Sequence, residues 1–193
     1  MNQQPPSPPA QKVQYALARY ARWQVILGLF ILLALFMGVL LPGVKSRIGP
    51  GNSAPIDLTF FPSPQTIFSM LAAFDAPGRA FYRLHELTLD IIYPITYTLF
   101  FSLLITFLLN SASKRKSPLQ LLNLIPFGTL IFDLLENAGI VTLLTLYPSQ
   151  PSGLAWFVSI SNGIKWLFAG AMILAMLISF GMWAAHKISS WRQ

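Results

Sequence analysis

Four stretches of this chain, 24–44, 91–113, 117–132 and 166–185, carry no charged side chain. Each runs for about twenty residues, the length that takes a helix across a hydrocarbon core of about 30 Å. The pattern predicts an all-α, polytopic membrane protein. Its four transmembrane helices, at about 24–42, 91–112, 118–137 and 166–185, form an antiparallel bundle with a small outer amphipathic helical cap. Three domains of unequal character follow: a proline-rich polar tail (1–22), the membrane domain (23–187) with its outer loop 43–87, and a short tail (188–193).

The outer loop has a pattern of its own. Ser63-Pro64 reads as an N-cap followed by proline at the first helical position. After it Ile67, Met70, Leu71 and Phe74 form one apolar stripe on a short helix, preceded by Phe60 and Phe61. Ala76-Pro77-Gly78 signals a turn, and a second helix runs from there directly into the second span. Near the amino terminus Val13, Leu17 and Tyr20 mark a short amphipathic helix bearing Lys12, Arg19 and Arg22. A cleaved signal peptide fits less well, because the apolar run is too long and no small-residue cleavage site follows Leu41-Pro42-Gly43.

Composition sharpens this. Hydrophobic residues make up 54% of the chain and charged residues 10%, against about 25% charged in a soluble domain. With no cysteine, disulfides, Cys-ligated zinc, iron–sulfur centres and thiol chemistry are excluded. The net charge of +7 reads as orientation, since Lys and Arg are retained on the cytoplasmic side. Alternate loops hold Lys12, Arg19, Arg22, Lys114, Arg115, Lys116, Lys187 and Arg192 on one side, and Lys45, Arg47, Arg79 and Arg83 on the other. Both termini are therefore expected in the cytoplasm, in a multi-pass protein of the cell membrane, the bacterial inner membrane being the expected one.

The helical patterns 78–112, 118–146 and 154–187 outrun one crossing, reaching about 43–52 Å at about 1.5 Å per residue. Counting about 20 residues outward from each cytoplasmic end arrives near Pro42, Asp90, Glu136-Asn137 and Lys165, with Asp133 one turn deeper. A polar layer is thus expected near the outer boundary. Glu86, Asp90, Tyr93 and Tyr97 share one helical stripe; Asp133, Glu136 and Asn137 share a second; Ser161 and Lys165, with Asn162 beside them, share a third. Pro94 cannot donate to the carbonyl of Asp90, and Pro126 is expected to free that of Leu122.

Ionisable groups beside hydrocarbon are costly, so they pair, line a cavity or mark function. Asp90, Asp133 and Glu136 exceed Lys165 by two charges, a deficit met by Arg79, Arg83 and His85 leaning in, by a protonated carboxyl or by a bound cation. For Lys165 and Glu136 alone, a salt-bridge knot that fixes helix register is a sufficient account. The three acids together point to a binding site. The candidate ligand-binding residues are Asp90, Tyr93, Tyr97, Asp133, Glu136, Asn137, Asn162 and Lys165, with Arg79, Arg83, His85 and Glu86 as accessories. No metal site or cofactor is expected, and no catalytic residue is assigned. The expected partners are the bilayer and a small cationic or zwitterionic ligand or lipid head group. A membrane-embedded acid–base enzyme and an accessory subunit of a larger complex, or a homo-oligomer, are the alternatives; nucleic acid is not expected.

Gly78-Arg79-x-x-Tyr82, Asp90-x-x-Tyr93-Pro94, Asp133-x-x-Glu136-Asn137 and Lys165-Trp166 together resemble segments of an uncharacterised group of small bacterial four-helix integral membrane proteins. The resemblance covers roughly residues 55–170. It implies the architecture and adds no activity.

Overall fold

The computed structural model describes residues 9–49, 54–112 and 118–191. The Lys114-Arg115-Lys116 turn, Arg192 and the prolines at positions 5, 6 and 8 lie outside them. Among the described residues the chain is helical, with no strand, and four helical stretches are long and apolar enough to cross a membrane: Trp23–Leu40, Ala76–Ala112, Leu119–Leu146 and Ser152–Ser190.

Helix α1 (Pro9–Tyr20) forms where expected, but of its apolar stripe Leu17 alone is buried against the bundle, while Val13 and Tyr20 are exposed. The first span joins α2 (Trp23–Leu35) to a π-turn, Phe36–Leu40, the kind of widened turn that often accompanies a functional site. A single turn, α3 (Lys45–Ile48), follows. Next come a 3-10 turn at Ile56–Leu58 and α4 (Pro64–Ala73), which begins as the sequence predicts: the Ser63 hydroxyl accepts the Thr66 N–H at 3.2 Å with Pro64 at the first position. Ile67, Leu71 and Phe74 are buried, so the stripe is a packing face.

Helix α5 (Ala76–Glu86) starts at an Asp75 cap, whose carboxylate accepts the Gly78 N–H at 2.6 Å. It does not continue unbroken into the second span. Leu87 and Thr88 form a tight turn before α6 (Leu89–Ala112), and the Thr88 hydroxyl donates to the Leu84 carbonyl at 2.7 Å. The third helix also starts later than its apolar pattern. Residues 118–124 wind as a 3-10 helix, and α7 (Ile125–Leu146) begins with Pro126 in its first turn. A proline there lacks an N–H that would have had no intrahelical partner, so it opens no gap in the helix. The expected release of the Leu122 carbonyl inside a helix is corrected accordingly. Helix α8 (Ser152–Trp191) is continuous over 40 residues.

Helices α3, α4 and α5 form a cap on the ends of α7 and α8. Its core is Val44, Ile48, Ile56, Ile67, Leu71, Phe74 and Tyr82 packed on Ile140, Leu143, Ala155 and Val158. Gly78 lies where α5 crosses α3; a Cβ there would overlap the carbonyl oxygen of Ile48 and stand 2.8 Å from Asp75 Oδ1. Backbone cannot rotate aside as a side chain can. Gly78→Ala is therefore expected to destabilise the protein by about 1–3 kcal/mol, seen as a fall in Tm in detergent. An unchanged Tm would mean that the cap is not packed as described.

Candidate functional site

The polar positions singled out on α6, α7 and α8 converge at the cap end of the bundle. Lys165 Nζ lies 2.6 Å from Glu136 Oε2 and 3.6 Å from Asp133 Oδ1. The Tyr97 hydroxyl donates to the other Asp133 oxygen at 2.7 Å. Pro94 leaves the Asp90 carbonyl free, as its sequence position predicts, and the Asn137 side-chain amide fills the vacancy at 2.7 Å. One missing backbone donor on α6 is thus replaced by a side chain of α7. The bond ties the two helices at the height of the acids.

Asn162 is the hub of a second set of bonds. Its amide nitrogen donates to Glu136 Oε1 (2.9 Å) and to the Asp57 carbonyl (3.1 Å), and its oxygen accepts the Phe61 N–H (2.7 Å). Lys165 also donates to the Asp57 carbonyl, at 3.3 Å. The strap 55–61 is therefore latched across the site from α8. Phe61 closes the latch with φ +46°, in the left-handed region that a bulky residue seldom adopts. Its ring covers Gly163, where a Cβ would come within 2.6 Å of it. Asn162→Ala removes three bonds and strands a Glu136 oxygen and the Phe61 N–H. The expected cost is about 2–3 kcal/mol, with faster amide exchange confined to the strap. Exchange rates like those of the wild type in residues 55–61 would show that the latch does not hold it.

One functional residue, Asp57, went unmarked in the sequence. Asp57 stands in the strap, and its carboxylate accepts from the Tyr82 hydroxyl at 2.6 Å; the same hydroxyl accepts the Ile56 N–H at 3.0 Å. The signal available was a lone acid in the apolar run Pro55-Ile56-Asp57-Leu58, outside any span. With Asp57, five of the chain's six acids surround this region; the sixth, Asp75, is the α5 cap.

The accessory residues divide. Arg79 does not lean in: it donates to the carbonyls of Leu71 and Phe74 at the end of α4 and stacks 3.9 Å over the Tyr147 ring. Arg83 is exposed, and no described ion pair joins it to the acids. His85 is buried and stacked on Phe81, and its Nδ1 has no hydrogen-bond partner among the described residues. Glu86 is 1% exposed, and neither carboxyl oxygen has a hydrogen-bond partner among the described residues. Lys165 is therefore the cation that meets these acids among the described residues. Five carboxyls against one ammonium leave an excess of four negative charges if all are ionised.

Two adjoining cavities open beside this cluster. One of about 310 Å³ is lined by Asp57, Asp90, Tyr93, Tyr97, Asp133 and Lys165, and on its apolar side by α2 and α8. The other, about 420 Å³, extends under the cap past Pro42, Lys45, Tyr82 and His85. Asp57, Asp90, Tyr93 and Trp166 border both. Asp90 differs from every other acid lining them. It is 7% exposed, yet its carboxylate makes no hydrogen bond or ion pair to any described residue. Glu136 and Asn162, by contrast, lie behind the lining in the hydrogen-bonded knot, as does Asn137.

No cluster of His, Asp and Glu with metal-binding geometry occurs among the described residues. Compared with family models, with curated proteins and with solved structures, the chain finds no match.

Proposed function

We propose that this membrane protein binds a small ligand with a cationic head group in the cavity between α2, α6 and α8, with Asp90 as the carboxylate that receives it. The observation that carries the reading is the buried Asp90 carboxylate, without a partner among the described residues, at the junction of the two cavities. A buried charge without a partner is expensive, and a cation supplied from outside relieves that cost. Tyr93, Tyr97 and Trp166 border the same space, and aromatic faces attract alkylammonium groups. The Lys165–Glu136–Asn162 assembly then serves as scaffold, holding the strap and the helix register.

An acid–base enzyme is less well supported. It needs two carboxyls at liberty to exchange protons with a substrate, and Asp133 and Glu136 are both engaged by Lys165. In the membrane, the tally of Lys and Arg supports placing both termini on the cytoplasmic side and the cavity just beneath the outer face.

Equilibrium dialysis of labelled tetramethylammonium against the protein in a neutral maltoside detergent tests the proposal. Saturable binding, displaced by choline, is expected. Binding no greater than to empty micelles would overturn it.

A further inference from the structure

The cavity at Asp90 is not lined like a site for a small hydrophilic cation. Below its rim the walls are Leu33 of the first span, Phe101 of α6, and Ala169 and Met172 of α8. The slot between α2 and α8 is not sealed by helix packing. The first span leans on α6 and barely touches α8, and only 11% of its apolar window is buried within the protein. At the rim, Met37 is 61% and Trp166 40% exposed. The π-turn Phe36–Leu40 ends the span at this height, with Phe36 turned inward onto Tyr93, ring centroids 5.6 Å apart. The arrangement is a carboxylate and aromatic faces at the cap end and an apolar slot running from them towards the middle of the bundle. The slot faces the region where the bilayer's hydrocarbon would lie.

Resting on the reading of Asp90 given above, we propose that the ligand is an amphiphile, a long-chain amine or quaternary ammonium, that enters sideways from the bilayer between the first and fourth spans. Its head stops at Asp90 and its chain lies in the slot between α2 and α8. Charge complementarity fixes the head, and the apolar walls fix the direction of the chain. The exposed rim of Met37 and Trp166 is the portal.

A chain-length series separates this from the proposal it rests on. In maltoside micelles, affinity is expected to rise at least about tenfold from tetramethylammonium to decyltrimethylammonium, as the slot takes up methylenes. Ala169→Trp, which puts an indole into the slot between α2 and α8, should abolish that gain. Equal affinity for the two cations in the wild type, or a decyl gain that survives Ala169→Trp, would overturn the lateral slot while leaving the cation site intact. Absence of any tetramethylammonium binding would overturn both. Should Ala169→Trp fail to fold, the wild-type protein decides the matter through a decyltrimethylammonium analogue bearing a diazirine near the chain end. Adducts on the segments containing Leu33 and Met37 or Ala169 and Met172 support lateral seating. Adducts confined to Pro42 and Lys45 under the cap refute it.

Discussion

Asp90→Asn is expected to weaken the binding of decyltrimethylammonium by about 10- to 100-fold, the loss that follows from removing a charge–charge attraction of about 1.5–3 kcal/mol at an effective dielectric constant of about 20. The same substitution should leave Tm unchanged or raise it. This combination is unusual for a buried acid in a membrane protein, and it follows from the geometry. The Asp90 carboxylate has no described partner to strand, and it shares its cavity with the carboxyls of Asp57 and Asp133, so removing its charge relieves repulsion. The bond from Asn137 goes to the Asp90 backbone carbonyl and survives the change. Dialysis and a thermal melt on the same preparation check both halves. Undiminished affinity would remove Asp90 from the site, and a large fall in Tm would make it a structural residue like Glu136.

Much of this site was legible because helices are regular. Counting one bilayer crossing along each helix puts Asp90, Glu136, Asn137 and Lys165 at one height, and the structure brings these four into a single bonded layer. The Asp90 carbonyl was legible for a simpler reason, since a proline removes the same donor wherever it falls in a helix. What could not be read was anything that depends on which side of a helix meets which neighbour. Glu86 and Asp90 sit one turn apart on one expected stripe, yet the break at Leu87–Thr88 falls between them. Only Asp90 lines the cavities. Asp57 was unreadable because its place is set by Asn162, 105 positions away, and no local pattern encodes a contact of that range. The expected balancing role of Arg79 failed for a related reason. The end of α4 offers unpaired carbonyls nearer to the guanidinium than the acids are, and Tyr147 offers a ring.

Lys165→Met is the substitution expected to damage the fold most. Lys165 pairs with Glu136 and Asp133 and also holds the Asp57 carbonyl. Its loss leaves two buried carboxylates facing each other without a cation. Breaking a buried pair by removing one partner costs about 3–5 kcal/mol, whereas replacing the whole group with neutral residues costs far less. The expected result is therefore non-additive. Lys165→Met alone should unfold at a much lower temperature or fail to accumulate. Glu136→Gln and Asp133→Asn introduced together with it should recover most of the stability, with a coupling of at least about 1 kcal/mol between positions 165 and 136. The rescued triple variant retains Asp90, so it should still bind tetramethylammonium if the knot is scaffold and Asp90 the receptor. A triple variant that folds but has lost the cation would instead place the ligand on Asp133 or Glu136.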